Sequence, residues 1–277
     1  YTVTFYNGST LLQTVNNVPY GGSAKYTGDT PVSPDGSVED YPFEGWNPQP
    51  ANITGTTKCM AVFGSPLEGK EIEDSWDEIL AACADGSYKQ KYKIGNYKPL
   101  DMGTEGIINM QIAGREVDAL ADGSGMAPLS WLGIELLKTS KRMNPELAKD
   151  PEDDTKYLEG SGAIGGWEKS ELRQYYKDIL KSLVPENVQS GIKAILKSQN
   201  AYTTAGTAFT QTTEDELWVP SNYEMIQYVG KPTAIYNKIY NNTNSRRKKK
   251  VGETSFTKWC MRPGFTTANF AAIDTTG

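Results

Sequence analysis

The chain has 277 residues, 38% of them hydrophobic and 10% aromatic, with 28 Lys/Arg against 34 Asp/Glu and a net charge of −6. That length carries one large domain or two ordinary ones, and the acidic balance gives no general attraction to nucleic acid or to an anionic membrane. Histidine is absent and the three cysteines (Cys59, Cys83, Cys260) are widely spaced, which removes the commonest general base and excludes a four-cysteine zinc site.

At most one disulfide could form, and three buried thiols are the expectation. No apolar run approaches the ~18 residues that span a bilayer, so no membrane insertion is expected. The chain opens at Tyr1 directly in a strand pattern and reads as a piece of a longer polypeptide.

Residues 1–64 read as strands and turns. YTVTFY alternates with period two and ends in Asn7-Gly8, a tight-turn signal, after which residues 11–15 form the return strand. A Pro/Asp/Gly-rich stretch at 29–36 and the FEGW run at 43–46 punctuate further short elements, and residues 58–63 are a closing strand. Trp46 and Phe43 are read as core. Residues 65–73 are expected to be a polar linker.

Composition changes after it. SWDE at 75–78 is a capping-box pattern for a helix whose Trp76, Ile79, Leu80 and Cys83 share a face, ended by Asp85-Gly86. Residues 92–94, 97–100 and 106–113 alternate as strands, and 131–137 is ambiguous between helix and strand. The acidic stretch 149–154 lacks the spacing of a calcium loop and is read as solvated. The clearest helix runs from Trp167 to Leu183, with Leu172, Tyr176, Ile179, Leu180 and Leu183 as its apolar stripe and Pro185 as terminator. Residues 192–197 and 217–220 are expected strands, and Asn222 to Val229 a short helix.

The order YTVTFYNG, VPYGGSA, YPFEGWNP and NITGTTKCMAVF resembles the Listeria–Bacteroides (internalin-B-type) repeat across nearly all of residues 1–64. The resemblance implies a small all-β, β-grasp-like spacer. A second resemblance covers residues 74–277, through AGREVDALADGSGMAPLSWLG, GAIGGWEKSELRQYYKDILKSLVP, DELWVPSNYEM and KWCMRPGFTTANFAAIDTTG. These are similar to a family of undefined function frequent in Firmicute phages, prophages and surface proteins. The motif W-E-x-S-x-L-R (Trp167, Glu168, Ser170, Leu172, Arg173) and the later W-x-x-R (Trp259, Arg262) carry it, and they imply a C-type-lectin-like α+β domain related to targets of diversity-generating retroelements.

In that family the pattern continues past Gly277 with another strand, so either the chain is cut or the fold closes differently. A bulky aromatic also usually stands where this chain has Cys260. The fold expected for the whole chain is therefore α+β.

What the second resemblance implies is ligand recognition on a C-terminal face. Alternation turns Trp259, Met261, Phe270 and Ile273 inward and leaves Phe265, Thr266, Thr267, Ala268, Asn269, Ala271 and Asp274 in a loop or outside. These seven, with Tyr236 and Tyr240 as neighbours, are the expected contact surface, and Trp167, Arg173, Trp259, Arg262 and Phe270 the expected scaffold. The expected partner is a host cell-surface glycan or protein, on a virion surface or alternatively a bacterial cell surface. Other virion or surface proteins are further expected partners, and homo-oligomerisation is left open.

The competing readings are weaker on residues. Glu168 and Glu171 are the carboxylates that could do acid–base work, but both sit at a helix start, where the dipole favours acidic residues. Formylglycine-generating enzymes share the C-type-lectin-like class but need a close cysteine pair, which Cys83 and Cys260 do not form in sequence. No catalysis, cofactor or metal is expected. The basic run at 246–250 lacks interleaved aromatics and is read as an exposed hairpin or loop tip rather than a nucleic-acid site. A module that only packs against other virion proteins is the remaining rival.

Overall fold

The computed structural model describes residues 1–33, 43–63, 69–226, 234–240 and 243–276. Parts of the expected 29–36 stretch, Tyr41-Pro42 of the repeat motif, residue 64 at the repeat's end, residues 65–68 of the linker, 227–229 of the expected short helix, the turn residues 241–242 and Gly277 lie outside them. The chain divides into two compact units, Tyr1–Glu68 with Lys89–Lys93, and Gly69–Tyr88 with Ile94–Gly277.

The described residues of the first unit contain a four-stranded sheet. Strands β1 (Val3–Asn7), β2 (Thr10–Val15), β3 (Phe43–Asn47) and β4 (Thr57–Phe63) lie in the order β2-β1-β4-β3. The outer pairs are antiparallel, whereas β1 and β4 run parallel from Val3↔Thr57 to Tyr6↔Met60. The alternation of β1 puts Val3 and Phe5 wholly inside. Gly8, at φ +58°, makes the tight turn to β2. Trp46 meets the edge of Phe5 at 4.7 Å, in a core with Val18, Ala24, Ile53 and Cys59, and Phe43 packs on its margin.

The second unit has mixed helix and sheet, giving the whole chain an α+β architecture of small sheets. Residues 69–73 belong to it and are no free linker. Glu71 bridges Tyr97, Ile72 is buried, and the Lys98 ammonium donates to the Ile72 carbonyl at 2.9 Å. Helix α1 (Trp76–Asp85) starts in the expected capping box: Glu78 accepts from Ser75 N at 2.7 Å while Ser75 Oγ accepts from Glu78 N. Gly86 ends it in the left-handed conformation. Its Trp76 packs edge-on against Trp131.

Strands β5 (Tyr97–Asp101), β6 (Ile107–Arg115) and β7 (Leu129–Gly133) form an antiparallel sheet in chain order. The expected strand at 92–94 is instead a loop that follows a helical turn at Tyr88–Lys91.

The helix expected from Trp167 to Leu183 is broken in two ways. Trp167–Lys169 is a separate 3-10 turn, and the helix proper starts at Glu171 with Ser170 Oγ capping Arg173 N. Residues Tyr176–Leu180 then form a π turn before Lys181–Leu183 returns to α. The wider turn rotates the later residues, so Leu172 and Leu180 are buried but Ile179 is 48% exposed. Leu180, Val184 and Val188 pack with Leu100, Met102 and Ile108 into an apolar core of this unit.

Three hairpins complete the unit: β8 (Ile195–Tyr202) with β9 (Ala208–Asp215), β10 (Lys248–Lys249) with β11 (Phe256–Thr257), and β12 (Trp259–Gly264) with β13 (Phe270–Ile273). Strand β12 lies against β8. Residues 217–220 form an irregular segment instead of the expected strand, and a helical turn covers only Asn222–Met225.

The basic run is not an exposed tip. Lys248 is buried and its ammonium donates to the Gly133 and Ile134 carbonyls, while Arg247 lies over the Phe256 ring at 4.2 Å. Among the described residues no helix is long and apolar enough to cross a membrane.

Candidate functional site

The inner face of the β8–β9 hairpin is polar. Alternation turns Lys197 and Gln199 of β8, and Gln211, Thr213 and Asp215 of β9, inward, and all five are buried. A buried polar group without a partner costs a few kcal/mol, so this face folds only if other elements bring partners to it.

Two groups of partners arrive. The Asp215 carboxylate accepts from Trp167 Nε1 at 2.9 Å, Thr213 Oγ1 at 2.6 Å and Arg173 Nε at 2.6 Å. The W-E-x-S-x-L-R motif is therefore a clamp: its Trp and Arg hold one carboxylate from β9, and its Ser caps the helix that carries the Arg. Arg262 of β12 is wholly buried and donates to Gln199 Oε1 at 2.7 Å, Glu224 Oε1 at 3.0 Å and the Val219 carbonyl. Gln199 hands the chain of bonds on to Gln211 and Thr213.

Beyond Glu224 the network reaches Lys197, whose ammonium donates to Glu224 Oε1 at 2.9 Å, Asp118 Oδ1 at 2.6 Å and Tyr236 Oη at 2.6 Å. It also lies 3.9 Å from the Trp218 ring, which stacks on Tyr236 at 5.6 Å and 9°. Asp118 Oδ2 accepts from Tyr236 Oη at 2.6 Å and from Ser130 Oγ.

Three carboxylates (Asp118, Glu224, Asp215) thus face three cations (Lys197, Arg262, Arg173), and the buried set is neutral. Burial alone would push the Glu224 carboxyl up, but Arg262 and Lys197 outweigh it and hold the group below the usual carboxylate range. Burial, with Glu224 and Asp118 nearby, pushes the Tyr236 phenol far above its ordinary value.

This geometry corrects one expectation. Tyr236 and Tyr240 are 0% and 3% exposed, so neither belongs to a contact surface. Tyr236 is held inside by its hydroxyl bonds to Asp118 and Lys197.

The loop between β12 and β13 is built on this scaffold, starting at Phe265 just beyond the strand that carries Arg262. Phe265 N and Thr266 N both donate to the Asn269 carbonyl, at 2.8 and 3.1 Å, and Thr266 Oγ1 accepts from Ala268 N and Asn269 N. From outside, Tyr202 Oη donates to the Phe265 carbonyl at 3.1 Å and Ala163 N to the Thr267 carbonyl at 2.8 Å. That last approach needs Gly162, because a Cβ there would lie 2.6 Å from the Thr267 oxygen. The outcome is a pinned backbone presenting Phe265 with 73% of its surface in solvent.

Thr266, Ala268 and Asn269 are exposed beside it and Thr267 is half-buried. Ala271, half-buried, follows directly after Phe270 at the loop's end of β13, whereas Asp274 does not join them. The register Gly264↔Phe270 and Trp259↔Ile273 carries Asp274 to the far end of the hairpin, about 16 Å away at strand rise. Trp259, Met261 and Ile273 are buried, and Phe270 packs against the Trp167 cluster.

Two neighbours of the loop carry no signal in the sequence. Tyr202 ends β8 beneath Phe265. Tyr157, whose N–H donates to the Thr204 carbonyl at 2.7 Å and whose ring takes the Lys149 ammonium at 4.0 Å, flanks the 203–207 turn. Both belong to the chain's abundance of tyrosine, and only the fold singles them out.

Glu168 and Glu171 are exposed at the helix start. Among the described residues no three His, Cys, Asp or Glu groups are placed to hold a metal ion. All three cysteines are free, Cys59 buried and the other two half-buried.

Residues 147–277 match the family described as Domain of unknown function (DUF6273). The matched span holds the Trp167–Arg173 clamp, the β8–β9 hairpin, Arg262 and the Phe265 loop, and leaves Asp118 and Ser130 outside it. No curated protein and no solved structure matches the chain.

Proposed function

We propose that this chain is a non-enzymatic surface-display module that recognises a host-surface glycan or protein through the loop at 265–269. The observation that carries the reading is Phe265: a large aromatic side chain kept in solvent by a backbone fastened at Ala163 and Tyr202. Exposed, preorganised aromatics are what binding hot spots are made of, because little further ordering is needed on contact. Thr266 and Asn269 add hydroxyl and amide groups beside it, and no charged residue lies between Gly264 and Ile273, which favours a neutral ligand.

The setting, a virion surface or a bacterial cell surface, rests on the resemblance of the second unit to phage and surface domains of C-type-lectin-like fold. A mixed sheet in the order β2-β1-β4-β3 with a parallel central pair supports a β-grasp-like spacer in the first unit.

The test is a binding screen against glycans and cell-surface extracts, with the wild-type chain beside Phe265→Ala and Asn269→Ala. Phe265→Ala is expected to weaken binding by roughly 30-fold, the scale of a hot-spot aromatic, with an unchanged circular dichroism spectrum. Binding that survives both substitutions overturns the assignment to this loop. A folded wild-type chain that binds none of these surfaces moves the reading to a structural decoration module.

A further inference from the structure

We propose that Lys197 and Asp118 become joined by an intramolecular isopeptide bond, formed by the fold itself at the centre of the second unit. The two groups are placed for condensation. Lys197 Nζ lies 2.6 Å from Asp118 Oδ1, and the two side chains are 1% and 3% exposed. Such proximity converts a slow encounter into an intramolecular reaction with a very high effective concentration.

The surrounding groups match what the reaction needs. Tyr236 Oη and Ser130 Oγ both donate to Asp118 Oδ2, so that oxygen is the one retained as the amide carbonyl, and its developing charge meets two fixed donors. Glu224 Oε1 stands 2.9 Å from Nζ as proton carrier. The stacked Trp218 and Tyr236 rings cover the ammonium.

The step balances without a co-reactant. Nζ attacks Cγ of Asp118, the Nζ–Cγ bond forms and the Cγ–Oδ1 bond breaks. Two of the three ammonium protons pass to Oδ1, one of them by way of Glu224, and Oδ1 leaves as water. The amide keeps one N–H. One cation and one carboxylate disappear together, and the rest stay paired, Glu224 with Arg262 and Asp215 with Arg173. The bond would tie the segment after β6 to β8 across a separation of 79 residues.

The test is the intact mass of the purified full chain after complete unfolding, followed by a peptide map. The expected result is a mass lower than that of the sequence by one water, with a branched peptide linking Lys197 to Asp118. A chain of full mass overturns the proposal. So does a missing water that maps elsewhere, such as a succinimide at Asp85-Gly86 or Asp122-Gly123, which has the same mass change without a branch. Glu224→Gln is expected to restore the full mass in folded protein, and a branch that forms in it at wild-type yield removes Glu224 from the step. The wild-type mass decides the proposal whether or not that variant folds.

Discussion

Asp215 accepts three hydrogen bonds with 1% of its surface exposed, so its loss would take the acceptor from Trp167 Nε1, Arg173 Nε and Thr213 Oγ1 at once and leave the Arg173 charge without its carboxylate. Asp215→Ala is expected to cost about 3–5 kcal/mol, the scale for breaking a buried ion pair from one side, read as a lower urea midpoint. Lys248 makes a different prediction. Burial pushes its ammonium down from 10.5 to about 8, with Glu135 pulling weakly the other way. Below about pH 8 both folded and unfolded chains hold the proton, and its burial weakens the fold in full. Between about 8 and 10.5 the unfolded chain binds a proton the folded one has released, so the contribution of Lys248 to stability rises with pH, against an opposing fall from the Cys83 thiol, which burial pushes up to about 11. That contribution is roughly 3 kcal/mol at most, and it is read as the difference between wild type and Lys248→Met in a denaturation series across that window.

At the scale of elements, the π turn and the β9 strand mark where periodicity and structure part. A 3.6-residue period puts Leu172, Ile179 and Leu180 on one stripe, but the π turn at Tyr176–Leu180 swings Ile179 outward. Ile179→Lys should therefore change stability by no more than about 0.5 kcal/mol. Leu180→Ala, one position on, should cost about 2–5 kcal/mol; chemical denaturation of the pair separates them. Helix α1, by contrast, was legible to the residue, because a capping box and a terminal glycine act through local backbone bonds. Strand β9 (AFTQTTED) has no apolar alternation to read. Its inward side chains are a glutamine, a threonine and an aspartate, whose partners come from residues up to 48 positions away.

For the molecule as a whole, each unit carries its own apolar core, one around Phe5 and Trp46 and the other around Ile108 and Leu180. Calorimetry is expected to show two transitions, with Phe5→Ala lowering one by more than about 10 °C and leaving the other in place. Local signals were enough for the α+β class, the Asn7-Gly8 hairpin, the capped helix and the inward Trp259, Met261 and Ile273, since turn chemistry and alternation need no distant partner. The Phe265 loop could be marked as outward from the same alternation. What awaited the folded chain was everything set by long-range partners. Tyr236 and Tyr240 read as surface aromatics until Asp118 and the core enclosed them, Lys248 read as part of a solvated charge run until it found two buried carbonyls, and Asp274 read as a neighbour of Phe265 until hairpin register separated them. A polar side chain looks the same in sequence whether water or a buried partner satisfies it, and only the packing of distant strands settles which.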